Sequence, residues 1–275
     1  MRTTSPSAIT NGARRSSAEP ALFTVEERDR LRTRLLERAE ADDAVVGAAF
    51  TGSEAVAVGD RWSDTDLVLA VRGDLGSTVA RWTGWFYDEW DARHHWDLAV
   101  APGVIRVYLL RGWLELDLTF TPETDFGPRG PQWRTIFGRP RSLEPFPDPD
   151  RNTLIGLVWH HAFHAWICLR RDRWWQAEHW ISAIRDQVIT LACLRLGHPA
   201  AYAKGAHLLP EEITDSLTAT LVRSLTKSEL ERALTAAVNL ATAELERSDA
   251  GAAARLNPML FSLTADPNDA KDQTH

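Results

Sequence analysis

The sequence predicts an α+β protein: an N-terminal mixed β-sheet head with flanking helices, followed by a C-terminal all-α domain. Three observations predict it. Strand-type runs, short and β-branched or alternating, end with Phe120. From Arg151 on, every periodic segment has helical spacing. Between them, from Pro122 to Pro149, Pro and Gly cluster with little periodicity, which reads as a long linker and a domain boundary. The expected division is a disordered tail at 1–22, a mixed-sheet head at 23–148, a helical domain at 149–250 and a mostly irregular tail at 251–275.

The first twenty residues are rich in Arg, Ser and Thr and hold no apolar run of signal-peptide length. A helix is expected from Thr24, because Thr24 and Glu27 have the spacing of a capping box and Leu31, Leu35 and Leu36 follow at helical intervals. Val45 to Phe50 reads as a buried strand ended by Thr51-Gly52-Ser53. A turn or short helix covers Glu54 to Ser63, and a second strand runs from Asp66 to Val71. Val79, Trp82, Phe86 and Trp90 then mark a helix. The period changes to two for strands at His95–Val100, Val104–Leu110 and Trp113–Phe120, with turns at Pro102-Gly103 and Arg111-Gly112. Helices are expected at roughly 151–171, 173–196, 210–224 and 227–248. Gly197 stops the second of these, and Thr226 stands at the N-cap of the last, with Glu229 three residues on.

Composition narrows the function. The chain has 275 residues, 44% hydrophobic and 25% charged, which excludes a wholly disordered protein. Its 31 Lys and Arg against 38 Asp and Glu give a net charge of −7, which argues against a dedicated duplex-nucleic-acid binder. No apolar run is long enough to span a membrane. Cys168 and Cys193 both fall in apolar helical patterns, so no disulfide framework is expected and a cytoplasmic home is the default. Twelve tryptophans are the unusual feature; they would cover a homo-oligomer interface as readily as a core.

The informative stretch is residues 47–71. A strand ends in Gly52-Ser53, where glycine permits close backbone approach, freed amides form an anion nest and the hydroxyl adds a donor. Asp64 and Asp66 follow at the mouth of the next strand, two residues apart and so on one face. Two carboxylates beside a phosphate cradle repel each other unless a cation lies between them, and Mg2+ favours one or two carboxylates plus phosphate oxygens. In Trp113–Phe120 the leucines take one face, while Glu115, Asp117 and Thr119 take the other. Asp117 is the expected third ligand, brought beside Asp64 and Asp66 by an antiparallel neighbour strand. Three carboxylates from two strands suit a pair of metals and in-line phosphoryl displacement.

Gly52-Ser53, then Asp64-Thr65-Asp66-Leu67, then Asp117 on a later strand resembles the nucleotidyltransferase superfamily of DNA polymerase β. With Ala183-Ile184-Arg185-Asp186 in a long helix of the tail, the chain is similar to the aminoglycoside nucleotidyltransferase branch in particular. The resemblance covers about residues 44–120. It implies Mg2+-dependent transfer of a nucleoside monophosphate, AMP from ATP foremost, to a hydroxyl of a small, aminoglycoside-like molecule. By position, Gly52 and Ser53 would hold the β- and γ-phosphates, Asp64 and Asp66 would bind two Mg2+ ions, and Asp117 would share one and orient or deprotonate the attacking hydroxyl. Thr65 departs from the apolar residue usual between the two acids, but it points away from them. The same motif admits an enzyme that modifies a protein or RNA, and a nucleotide-binding module without turnover.

Each feature has a plainer reading. Gly52-Ser53 alone is an ordinary turn, and either aspartate alone could cap a helix or turn; the three together outweigh those readings. His160, His161 and His164 share helical spacing, but lack a further ligand and read as packed histidines. Arg185 and Lys204 are candidates for the triphosphate, with structural ion pairs as the alternative. Glu178 is a candidate base by position alone.

Overall fold

The computed structural model describes residues 22–56 and 59–265. The tail expected at 1–22 falls, apart from Leu22, outside them, as do the last ten residues of the tail expected at 251–275. The chain divides into two compact units, Met1–Phe146 and Pro147–His275.

The first unit is a six-stranded mixed sheet with helices packed on it. α1 (Val25–Ala41) opens with the expected capping box: Glu27 N–H donates to Thr24 Oγ1 (3.1 Å) and Thr24 N–H to Glu27 Oε2 (2.8 Å). There follow β1 (Val45–Thr51), the single turn α2 (Gly52–Ala55), β2 (Thr65–Val71), α3 (Leu75–Glu89), β3 (His94–Val100), β4 (Gly103–Leu109), β5 (Glu115–Pro122) and β6 (Trp133–Phe137). The sheet order is β3-β4-β5-β2-β1-β6.

Two features of the sheet correct the sequence reading. β5 lies beside β2 as expected but runs parallel to it, the one parallel pair in an otherwise antiparallel sheet. The cause is the number of reversals: α3 returns the chain so that β3 runs in the direction of β2, and the turns from β3 to β4 and from β4 to β5 then cancel each other. The segment expected to be linker contains β6, which pairs antiparallel with the edge of β1. Five residues among prolines and glycines are too few to show a period, so pairing rather than propensity makes this strand.

Alternation sorts the strands into two faces. Leu67, Leu69 and Val71 of β2 join Leu31 and Leu35 of α1 and Val79, Trp82 and Phe86 of α3 in one core. On the other face Val68 and Ala70 pack with Ala49 and Phe126. Asp66 therefore faces away from α1 and α3, while Thr65 turns toward them and is fully buried.

The second unit is all helical: α4 (Arg151–Arg170), α5 (Trp174–Leu196), α6 (Glu211–Ala219), α7 (Lys227–Ser248) and α8 (Ala250–Ser262). Gly197 ends α5 in the left-handed conformation (φ 72°), as its position suggests. At α7, Thr226 occupies the N-cap but its hydroxyl makes no cap bond; Glu229 instead accepts from the Arg223 amide and pairs with Arg232. α8 corrects the irregular tail expected after residue 250. Asp249 caps it by accepting from the Ala252 amide, and an alanine-rich first half carries it through Pro258. No helix among the described residues is long and apolar enough to cross a membrane. Cys168 and Cys193 are buried and free.

Candidate metal centre

Asp66 is the second residue of β2 and Asp117 the third of β5, and the parallel ladder makes them direct register partners. Asp64 lies two residues before Asp66, on the loop leading into β2. Side chains alternate along a strand, so all three carboxylates reach the same side of the sheet at the same end. Each offers an oxygen, and the three lie within 4.8 Å of one another. Asp64 is exposed, and Asp66 and Asp117 are half-buried. Among the described residues this is the only cluster of three or more His, Cys, Asp or Glu side chains placed to share an ion.

The donor set fits a hard divalent cation: carboxylate oxygens alone, with Asp64 exposed to solvent. The Gly52 turn fits as well. Gly52 has φ +63°, and a Cβ there would collide with Asp66 Oδ2. Glycine thus lets the turn close directly over one of the acids. Ser53 follows in α2, and a Cβ on Gly59 would stand 3.4 Å from both the Ser53 and Ser63 hydroxyls. The turn and the Asp64 loop therefore meet.

Two arginines of α1 that sequence reasoning did not single out hold this arrangement. Arg28 is buried and its Nη1 donates to the carbonyls of Asp60 (2.6 Å) and Ser63 (3.1 Å). Arg32 donates from Nε to Thr65 Oγ1 (3.0 Å) and from Nη2 to the Asp64 carbonyl (3.0 Å), and its Nη1 pairs with Glu54 Oε2 at 2.7 Å. Glu54 also pairs with Arg134 of β6 at 3.0 Å. Burial pulls the Arg32 guanidinium below its usual pKa, and Glu54 pulls it back up. In the loop, Asp60 Oδ1 accepts from the Trp62 amide (2.8 Å) and the Ser63 hydroxyl (3.1 Å). The Trp62 amide bond leads in holding the Asp60 carboxyl below the usual range. The available signal was the spacing of Arg28 and Arg32 around Leu31 and Leu35 on α1, which puts cations at the border of an apolar face.

The remaining candidates belong to the second unit. Arg185 donates to the Thr220 hydroxyl (3.1 Å) and carbonyl (3.3 Å) and to Ser182 Oγ (2.9 Å), fastening α5 to the end of α6. Glu178 accepts from Ser182 Oγ at 2.6 Å. Lys204 is exposed, after a 3-10 turn. His160, His161, His164 and His179 gather around Trp180, a ring cluster rather than a three-ligand site. Their packing follows from α4 lying along α5.

No protein-family profile matches the sequence, and no curated protein does. Among solved structures the chain is similar to an aminoglycoside 6-adenyltransferase from Bacillus subtilis, at 11% identity and a TM-score of 0.41, covering 89% of this chain and 100% of that one.

Proposed function

We propose that this protein is a Mg2+-dependent nucleotidyltransferase that moves a nucleoside monophosphate, AMP from ATP first, onto a hydroxyl of a small molecule and releases pyrophosphate. The observation that supports it is the carboxylate cluster: two acids paired across neighbouring strands and a third on the loop leading into one of them, under a glycine turn that leads into a serine. In this reading Asp64, Asp66 and Asp117 hold the metal, and Gly52 and Ser53 receive the β- and γ-phosphates. Bound dications would neutralise charge on the transferred phosphoryl group and the departing pyrophosphate. Asp117, half-buried beside Asp66, takes or orients the proton of the attacking hydroxyl. A sugar-like, aminoglycoside-type acceptor follows from the sequence resemblance. The proposal rests on the first unit and asks nothing of Arg185 or Lys204.

The test is a screen of labelled ATP, GTP, CTP and UTP against hydroxylated small molecules, aminoglycosides included, in Mg2+ and in EDTA. The expected result is acceptor mass raised by one nucleotide, with pyrophosphate released only when metal is present. Calorimetric binding of ATP and Mg2+ without release under any acceptor would instead favour a nucleotide-binding module.

A further inference from the structure

We infer that Arg32 is a positioning residue for the metal centre: one guanidinium sets the Asp64 loop against the Gly52-Ser53 turn. The inference rests on reading the three acids as metal ligands. Asp64 is exposed and lies outside β2, so the ladder that fixes Asp66 and Asp117 does not fix it. Arg32 supplies the missing restraint. It grips both residues of the Asp64–Thr65 step, through the Asp64 carbonyl and the Thr65 hydroxyl. Its third contact is Glu54, the residue after Ser53, so the same group ties the phosphate turn to the acid loop.

The geometry suits this role. The Arg32 side chain is only 12% exposed and stays in place on α1, whose Leu31 and Leu35 are anchored in the core. A planar fork with three occupied directions fixes orientation as well as distance, which an ammonium cannot do. Thr65 is part of the device. A valine-sized apolar residue would pack equally well there, but it would remove the acceptor for Arg32 Nε. The threonine that stands between two acids in place of an apolar residue thus has a physical reason in this chain.

The experiment measures Mn2+ binding to the protein alone, by electron paramagnetic resonance of the free ion. It compares the parent with Arg32→Met, Arg32→Lys, Thr65→Val and Asp64→Asn, with circular dichroism and thermal midpoints recorded for each. Outer partners of metal ligands typically contribute about tenfold to a hundredfold in affinity. Arg32→Met is expected to weaken Mn2+ binding within that range, Arg32→Lys to restore part of it, and Thr65→Val to lose a smaller factor with the fold retained. Should Arg32→Met fail to fold, Thr65→Val and Arg32→Lys decide. If Asp64→Asn loses Mn2+ while the folded Arg32 and Thr65 variants bind as the parent does, the positioning role is overturned. If Asp64→Asn binds as the parent does, the metal reading itself has failed, and the inference with it.

Discussion

Asp66 and Asp117 stand side by side across the parallel β2-β5 ladder, the only position in that pairing where both residues are acidic. Neighbouring strands lie about 4.8 Å apart. At an effective dielectric constant of about 20, two full charges at that distance repel by about 3.5 kcal/mol. A dication bound between them would reverse that repulsion. Asp66→Asn and Asp117→Asn each remove one of the two carboxylates. Mg2+ should raise the midpoint of the parent and leave these variants unmoved. Nucleotide transfer should fall at least about a hundredfold in both. Thermal scans with and without Mg2+, beside a pyrophosphate-release assay, check all three outcomes.

Gly52→Ala is expected to damage stability and site together. Its φ of +63° would cost a residue with a Cβ about 1–2 kcal/mol. The new methyl would also displace the Asp66 carboxylate that it meets. Denaturant titration should show a loss of at least about 1 kcal/mol, and Mg2+ affinity should drop in the same variant.

In the second unit, Glu244 is 1% exposed and takes two 2.8 Å bonds from the Arg195 fork plus one from Ser248 Oγ. Arg195→Met would strand that charge in the interior. Breaking such a pair from one side costs about 3–5 kcal/mol, whereas replacing both partners with apolar groups is often neutral. Equilibrium unfolding of Arg195→Met is expected to show the loss, and the Arg195→Met/Glu244→Leu double variant to recover most of it.

His161 gives the second unit a pH dependence. Burial comes first in pulling its pKa below 6.5, with His160, His179 and His164 adding to it and a bond to the Ala183 backbone opposing them. The folded form therefore prefers the neutral ring, and the unfolded chain binds the proton more readily. The contribution is fully present above about pH 6.5 and is lost as pH falls through the lower folded value. Thermal midpoints taken from pH 7.5 down to pH 5 are expected to fall, and His161→Gln is expected to flatten the slope.

Much of the candidate site was legible because its residues obey strand periodicity. Asp64 and Asp66 share a face by spacing, and Asp117 stood out as an acid on the polar row of an alternating strand whose leucines fill the core. The direction of β5 was not legible, since it depends on how many reversals the chain makes between Val71 and Glu115 rather than on the composition of either strand. β6 escaped because a short edge strand owes its existence to a partner. Arg28 and Arg32 escaped because an arginine on a helix looks the same in sequence whether it meets water or a carbonyl; only the loop at 60–65 makes the difference. Arg185 shows the converse, a cation beside apolar neighbours whose partners prove to be Thr220 and Ser182.

The parallel pairing of β2 with β5 also sets when the acidic centre comes into being. Between Asp66 and Asp117 the chain runs through all of α3, β3 and β4, so the ladder that joins them closes a long detour. Contacts so remote in sequence form late in folding, after the entropy of loop closure has been met. On the proposed reading, a nascent or stalled chain with the β3-β4 hairpin made and β5 still loose has one half of the centre and should hold neither dication nor nucleotide. Metal-binding kinetics during refolding are then expected to track the closing of the β2-β5 ladder rather than the first structural phase.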